Sequence, residues 1–444
     1  MNQIHEYFTG KKITVMGLGL LGRGVGDVAY LAQAGAELIV TDLKSEGELA
    51  QSLEKLQEFQ NISYTLGEHK MEDFEGRDMI LVGAGVPADS MYVAHGVASG
   101  ARKVQSAALF AELSKVPIIG VTGTRGKSTV TRMIHHVLSI VTGEEVILGG
   151  NIRGVSNLQL LKEVTEDSIA VFELDSWQLQ GFGWAEISPL IAVFTNFMED
   201  HMNYYGGDMD AYFADKANIF KFQEESGVFV TIPEVFARAQ KMQGVTLGQE
   251  VVLADSSVIG DDAVLAMPGE HNRLNAALAY QALKALNLED EEIFEGLASF
   301  PGIEGRLQFV HTNDGVRIYN DNNATTPVAT IAAIKALTDE KNIVLIVGGT
   351  DKGIALGALP EMIVKYVKHC ILYSGTGTEV LKKSLSDTVS TEEHATLAAC
   401  VEAAQKKATS GDIILFSPGF SSFGLEYKNE YDRNDQFMKL VATA

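Results

Sequence analysis

Cysteine is almost missing from this chain of 444 residues. Cys370 and Cys400 are the two it has, far apart and without metal-ligand spacing. Two buried thiols in a reducing compartment are expected from that usage. Basic residues are also scarce, 35 against 58 acidic ones, for a net charge of −23. The deficit argues against broad binding to nucleic acid or to an anionic membrane, while leaving room for anionic ligands in local pockets. No apolar run approaches the ~18 residues of a membrane span. Met1 to Lys12 carries no apolar signal core, so a cytoplasmic location is expected. Short-period repeats and low-complexity segments are missing too. What is present is a hydrophobic fraction of 46%. That is ample for several cores, and at roughly 100–200 residues per domain the length allows two to four domains.

The most informative stretch is Gly120-Val121-Thr122-Gly123-Thr124-Arg125-Gly126-Lys127-Ser128-Thr129. An apolar run from Pro117 to Val121 enters it as a buried strand, and a helical pattern from Lys127 to about Ile140 leaves it. Strand, glycine-rich turn and helix form a phosphate cradle. Glycines let backbone N–H groups approach the oxygens, the helix N-terminus favours negative charge, and Lys127 supplies a point cation. Ser128 stands where a hydroxyl can hold Mg²⁺. The strict G-x-x-x-x-G-K-[ST] pattern is broken, because Val121 occupies its first glycine position.

A second glycine turn, Gly17-Leu18-Gly19-Leu20-Leu21-Gly22, follows the strand Ile13–Met16. Asp42 ends the next strand twenty residues after Gly22. This is the layout of a nucleotide-binding turn with an acid for a ribose hydroxyl. Further strands are expected at Met79–Val82, Val146–Asn151, Ile169–Phe172, Leu190–Phe194 and Val228–Thr231, then at Val316–Tyr319, Ile343–Val347, Cys370–Tyr373 and Ile413–Phe416. Helices are expected at Glu46–Phe59, Tyr212–Phe222, Asn272–Leu286, Val328–Leu337, Leu359–Val367, Glu392–Ala408 and Asn434–Ala442. The fold class is therefore α/β, in three successive domains: a Rossmann-like N-terminal domain over 1–104, a central P-loop domain over 105–305, and a Rossmann-like C-terminal domain over 306–444. By residue type, Ser128, Glu173 and His201 could ligate metal beside bound phosphates, although Mg²⁺ prefers oxygen ligands.

In order and spacing the motifs resemble the Mur ligase family, and within it the branch that adds D-glutamate. The resemblance runs over nearly the whole chain. It rests on the N-terminal glycine turn, Thr122-Gly123-Thr124-x-Gly126-Lys127, Gly149-Gly150-Asn151, Glu173 with Gln178-Leu179, and Glu199-Asp200-His201 fifteen residues before Lys216. It continues through His271-Asn272 with Asn275, Gly305-Arg306, Asn320-Asp321 with Ala324-Thr325, and Gly348-Gly349 with Lys352. Ser417-Pro418-Gly419, Ser421-Ser422-Phe423 and Lys428-Asn429 close it. The resemblance implies an ATP-dependent amide ligase that joins D-glutamate to UDP-N-acetylmuramoyl-L-alanine through an acyl phosphate. It implies Lys127, Glu173, His201 and Lys216 as catalytic residues. Gly123, Thr124, Arg125, Gly126, Lys127, Ser128, Thr129, Asn272, Asn275, Arg306 and Asp321 would bind ATP. Ser128 and Glu173 would serve one Mg²⁺, and His201 and Lys216 a second, with Lys216 as a carbamate made with CO₂. Leu20, Leu21, Asp42, Lys44 and Gly85 would line the UDP site, with Asn151 nearer the sugar or peptide. Thr325, Lys352, Ser422 and Phe423 would hold D-glutamate. A monomer is expected, acting on small molecules, with no nucleic-acid or membrane partner.

Four positions depart from that family's pattern. Arg125 stands where Asn is usual, Gly83-Ala84-Gly85 replaces Ser-Pro-Gly, Asp175-Ser176 replaces a serine pair, and Asn323 replaces a lysine. Three other readings stay open on the residues alone. They are a related ligase with another amino acid or a folate-like acceptor, an NAD-dependent oxidoreductase resting on Gly17 to Asp42, and a nucleotide-binding protein with a decayed site.

Overall fold

Three β-sheets occupy three successive stretches of the chain. The computed structural model describes residues 6–20, 22–87, 89–143, 145–242, 247–260, 265, 267–385, 389–422, 427 and 430–442. The first sheet holds β1 (Lys12–Met16), β2 (Glu37–Asp42), β3 (Ile62–Leu66), β4 (Met79–Val82) and β5 (Arg102–Val104), in the order β3-β2-β1-β4-β5. The second holds β6 (Ile118–Thr122), β7 (Ile147–Gly150), β8 (Ala170–Glu173), β9 (Ile191–Phe194), β10 (Val228–Thr231) and β11 (Glu250–Leu253), in the order β11-β10-β9-β6-β8-β7. Every pairing in these two sheets is parallel. The third holds β12 (Gln308–Asn313), β13 (Val316–Asn320), β14 (Ile343–Gly348), β15 (Val367–Tyr373), β16 (Ser390–His394) and β17 (Ile413–Phe416), in the order β12-β13-β17-β14-β15-β16. Only the β12–β13 pair is antiparallel there. The α/β expectation is borne out.

The chain packs as two units. Met1–Val258 with Asn275–Leu297 form one, and Ile259–Leu274 with Ala298–Ala444 the other. In the first unit one hydrophobic core runs through both sheets, from Ile13 and Val40 to Phe172 and Phe194, and a second gathers Phe74, Ile80 and Val82 at the first sheet. In the second unit the third sheet has a core on each face, one around Leu345 and Leu415, the other around Ile346 and Phe416. Central parallel strands are covered on both faces, so they read as unbroken apolar runs. All five residues of β6 and all six of β14 are buried.

The helix Lys127–Thr142 shows how pattern becomes position. It buries Val130, Met133, Ile134, Val137 and Leu138, a stripe at helical spacing. Gly143, at φ +65°, ends it in the left-handed conformation that glycine tolerates best. Its N-terminus is thereby held at the end of β6.

Several elements differ from the sequence expectation. The stretch Glu392–Ala408 is not one helix. Ser390–His394 is a strand paired with β15, and the helix is Leu397–Lys407, capped by Thr396, whose Oγ accepts the Ala399 N–H at 3.2 Å. The helix expected over Tyr212–Phe222 is Met209–Ala217, started by Asp208, which accepts the N–H groups of Asp210 and Ala211 at 2.8 and 2.9 Å. β3, β5, β11, β12 and β16 have no counterpart in the expected elements. Cys370 and Cys400 are buried free thiols, as expected, and burial pushes each up to about 12.

Candidate active site

In the first sheet the strand order turns about between β1 and β4, which are neighbours. Beyond the carboxyl ends of such a pair lies the crevice where open α/β sheets bind ligands. Here it has a volume of about 670 Å³ and is lined by Gly17–Leu20, Arg23, Asp42, Lys44, His69, Gly85 and Met91, among others. Leu20 stands on its rim, 60% exposed. Leu21 lies outside the described residues. Asp42 is buried and braces the turn: its Oδ2 accepts the N–H groups of Leu18 and Gly19 at 2.9 and 3.1 Å, and its Oδ1 accepts that of Lys44 at 2.9 Å. The Lys44 ammonium is 3.8 Å from the same carboxylate. His69 Nδ1 is 2.7 Å from the Thr41 hydroxyl, and its ring packs edge-on against Tyr92. Burial holds His69 below its ordinary value, with Asp42 and Asp73 opposing.

In the second sheet β6 lies between β8 and β9, and the phosphate loop leaves it pinned to β9. Thr124 N–H donates to the Asn196 carbonyl, and Arg125 N–H to Asn196 Oδ1, each at 2.9 Å. Two glycines are required by space as well as by φ. A Cβ on Gly123 (φ +142°) would lie 2.0 Å from Thr195 Oγ1, and one on Gly126 (φ +83°) 2.5 Å from Asn275 Oδ1. Gly126 caps the helix carrying Lys127, Ser128 and Thr129. Lys127 Nζ donates to the carbonyls of Gly123 and Thr124 at 3.1 and 3.2 Å. A cradle that side chains would fill, a helix N-terminus and a lysine folded over the loop all fit a polyphosphate.

Around this loop stand the other candidates. Glu173 ends β8 and is 6% exposed. Its carbonyl accepts the Asn151 N–H at 2.7 Å, and Asn151 Oδ1 accepts from Arg23 Nη1. His201 has φ +56°, and its ring lies 4.7 Å from Trp177 and 6.1 Å from Tyr212. Burial pushes its imidazole below the ordinary value; Asp200 opposes this, and Lys127 and Lys216 reinforce it. A neutral ring is the form that ligates metal. Arg125 pairs with Asp200 at 3.5 Å.

Lys216, 1% exposed, lies in the last turn of its helix with Nζ 2.9 Å from the Gly123 carbonyl and 5.0 Å from the Tyr212 ring. Burial lowers its pKa well below the lysine range, Lys127 adds to that, and Asp175, Asp200 and Asp215 oppose it. Among the described residues no three His, Cys, Asp or Glu side chains converge on one point. The oxygen donors Ser128 and Glu173 nevertheless suit a hard cation that also takes phosphate oxygens.

The helix Glu270–Lys284 carries both asparagines of the sequence motif. Asn275 packs on Gly126, and Asn272 Nδ2 donates to the Pro268 carbonyl at 2.9 Å. In the second unit Asp321 is buried at the end of β13. Its Oδ1 accepts the Leu307 N–H at 3.0 Å and its Oδ2 the Ser417 hydroxyl at 2.8 Å. Burial raises this carboxyl to about 7, against the opposing pull of these hydrogen bonds and of Arg306. Arg306 N–H donates to the Ile303 carbonyl at 3.1 Å. Thr325 and Lys352 are brought together, with Lys352 Nζ donating to Thr325 Oγ1 at 3.3 Å. Ser422 is buried just beyond β17. Phe423, Lys428 and Asn429 lie outside the described residues.

Three stretches match family models: residues 11–105 the Mur ligase MurD-like N-terminal domain, 121–245 the Mur ligase middle domain, and 305–420 the Mur ligase glutamate ligase domain. A curated protein of Borreliella afzelii, UDP-N-acetylmuramoylalanine--D-glutamate ligase, is 35% identical over 96% of this chain and 96% of its own length. The chain belongs to the Mur ligase family. A Roseiflexus protein of the same name is 34% identical over 97% of the chain and 98% of its own length. Among solved structures, the Mur ligase MurC of Thermotoga maritima, a UDP-N-acetylmuramate-alanine ligase, shares the fold. Its TM-score is 0.61 at 17% identity, covering 98% of this chain and 99% of that one. E. coli FolC, solved in complex with ADP, has a TM-score of 0.54 at 18% identity over 76% of this chain and 93% of its own.

Sequence reading missed some residues of this Mur ligase site. Trp177, its ring tilted 56° to that of His201, comes from the helix that Asp175 caps. Asp215 accepts from Gln180 Nε2 at 2.7 Å and from the Tyr205 hydroxyl at 3.0 Å, which fixes the helix turn before Lys216. Arg23 is a cation directly after the third glycine of the first turn, and that placement was the available signal.

Proposed function

We propose that this Mur ligase is an ATP-dependent amide ligase that joins D-glutamate to the L-alanyl carboxylate of UDP-N-acetylmuramoyl-L-alanine in peptidoglycan precursor synthesis. The observation that carries this reading is full-length similarity to curated D-glutamate ligases at up to 35% identity. The γ-phosphoryl group of ATP moves to a carboxylate oxygen of the acceptor, giving an acyl phosphate and ADP. The amine of D-glutamate, having lost a proton, attacks the acyl carbon. The tetrahedral adduct then expels phosphate, so one C–N bond forms as one C–O bond breaks.

In this reading Lys127 and the loop N–H groups of 123–129 hold the β- and γ-phosphates. Asn272, Asn275, Arg306 and Asp321 position the adenosine. Ser128 and Glu173 would hold one Mg²⁺, and His201 with Lys216 as a carbamate would hold another. Bound Mg²⁺ neutralises crowded phosphate charge. Burial supports the carbamate, because an unprotonated amine is the form that adds CO₂. Leu20, Leu21, Asp42, Lys44 and Gly85 face the UDP part, and Asn151 the sugar or peptide. Thr325, Lys352, Ser422 and Phe423 receive D-glutamate, and the Lys352–Thr325 pair supports that placement. Three functional domains, 1–104, 105–305 and 306–444, a cytoplasmic location and a monomeric state complete the reading. Among the described residues no helix is long and apolar enough to cross a membrane.

The test is a panel of amino acids offered with UDP-N-acetylmuramoyl-L-alanine and ATP, following phosphate release and product mass. D-Glutamate should be used, with L-glutamate, D-alanine and meso-diaminopimelate poor by comparison. Lys352→Ala should raise the KM for D-glutamate far more than that for ATP. Preference for another amino acid would move the chain to a different branch of the family.

A further inference from the structure

The crevice of the first sheet must hold two phosphate charges if it holds UDP, and the chain around it is strongly acidic. Its lining includes the acids Asp27, Asp42 and Asp89 and the cations Arg23 and Lys44. Most of these groups are already committed. Asp42 accepts three backbone N–H groups, and Lys44 lies against it at 3.8 Å. Asp27 is buried, with its Oδ1 accepting the Ser156 hydroxyl at 2.6 Å and the Leu158 N–H at 3.1 Å. Arg23 differs from them. Its hydrogen-bond partner is the neutral amide oxygen of Asn151, and it acts on the buried Asp27 carboxylate only through space, without an ion pair among the described residues. A guanidinium has five N–H donors, so most of its hydrogen-bonding capacity is left for a ligand.

The backbone points the same way. Arg23 opens the eleven-residue helix Arg23–Gln33. Gly22 before it is in the left-handed conformation and makes no side-chain cap, and the first turn holds no acid. Gly24 lets this helix end press on the turn, since a Cβ there would lie 2.2 Å from the Leu18 carbonyl oxygen. A helix N-terminus favours an anion, and here a planar, permanently charged fork stands at its first residue and lines the crevice.

We propose that Arg23 is a substrate-binding residue that grips the diphosphate of the nucleotide-sugar acceptor, exchanging its bond to Asn151 for bidentate bonds to phosphate oxygens. The exchange would release the Asn151 amide to the rest of the acceptor. This inference rests on the reading of the crevice as the UDP site.

The experiment is calorimetric titration of the full chain with UDP and, separately, with uridine. Wild type should bind UDP more tightly than uridine. Arg23→Met keeps the apolar stem and should weaken UDP by about tenfold to a hundredfold, the span expected of charge-assisted hydrogen bonds, while leaving uridine unchanged. Arg23→Lys should recover part of that loss, with a steeper salt dependence. An unchanged melting temperature and an unchanged KM for ATP will show that the variants are folded. Wild-type UDP affinity in Arg23→Met would overturn the role of Arg23 and leave the crevice reading standing. Equal weakening of UDP and uridine would also overturn it, by assigning Arg23 to support of Asn151. Failure of wild type to bind UDP at all would overturn both.

Discussion

Lys216 donates from Nζ to the carbonyl oxygen of Gly123 at 2.9 Å, joining two residues 93 positions apart. The contact places an amine, depressed far below its usual range by burial, beside the turn that cradles phosphate. A lysine in solvent would stay protonated there.

Lys216→Ala is therefore expected to lose most turnover, and acetate to restore part of it by occupying the space of the missing ligand. Stability should move the other way. The unfolded chain binds a proton that the folded amine does not, so the native state gains stability as pH rises toward the unfolded value of about 10.4. Lys216→Met should flatten that slope and be more stable at pH 7 by about 0.5–2 kcal/mol. Denaturant unfolding at pH 7 and 10 measures it. Near wild-type turnover in Lys216→Ala would sink the role.

Asp321 should give the opposite pH signature. Its buried carboxyl is raised to about 7, so the folded chain keeps a proton that the unfolded one loses above about 3.9. The stability it contributes is complete below that value and is lost as pH rises through about 7. Asp321→Asn does not titrate. The variant should gain on wild type between pH 4 and pH 8, at about 1.4 kcal/mol per unit of raised pKa. A difference that stays level with pH would refute the buried, proton-holding carboxyl.

Gly26 and Ser156 should behave as a coupled pair. A Cβ on Gly26 would lie 2.5 Å from Ser156 Cβ. In an open helix position Gly→Ala stabilises by about 1 kcal/mol. Here Gly26→Ala should instead destabilise, by roughly 1–3 kcal/mol of overpacking. Adding Ser156→Gly should relieve much of that, although it removes the hydrogen bond to Asp27. Additive effects in the double-mutant cycle would show that no clash exists.

Asp175, where serine is usual in the family, is the N-cap of Ser176–Ala185 and forms a complete capping box with Gln178. Serine and aspartate are both strong N-caps, so Asp175→Ser should be nearly neutral. Asp175→Ala should cost about 1 kcal/mol. Chemical denaturation of the two variants compares them, and equal stability would remove the cap as the reason for the exchange.

The parts of the fold legible in sequence were those whose burial is two-sided. Ile118–Val121, Ile343–Val347 and Ile413–Phe416 are continuous apolar runs because helices cover both faces of their sheets. The edge strands had no such signal. Ser-Thr-Glu-Glu-His over 390–394 is largely exposed, and from Glu392 on it reads as helix, yet pairing with β15 makes the whole stretch a strand. Glycine, lysine, glutamate and histidine at fixed spacings gave the phosphate loop and its neighbours. Arg23 with Asn151, Asp27 with Ser156, and Trp177 with His201 stayed hidden, because contacts between distant residues leave no local pattern.

The place of β17 in its sheet has a consequence for biosynthesis. This strand, Ile413–Phe416, is hydrogen-bonded on one side to β13 and on the other to β14. It is also the last strand in chain order among the described residues. While the ribosome is still translating, β13 and β14 have been made but the strand that separates them has not. Their unpaired edges face a gap of one strand's width, a template for pairing with other chains. A nascent chain stalled before residue 413 would thus carry a sheet split down its middle, and would depend on a holding chaperone until those four residues emerge.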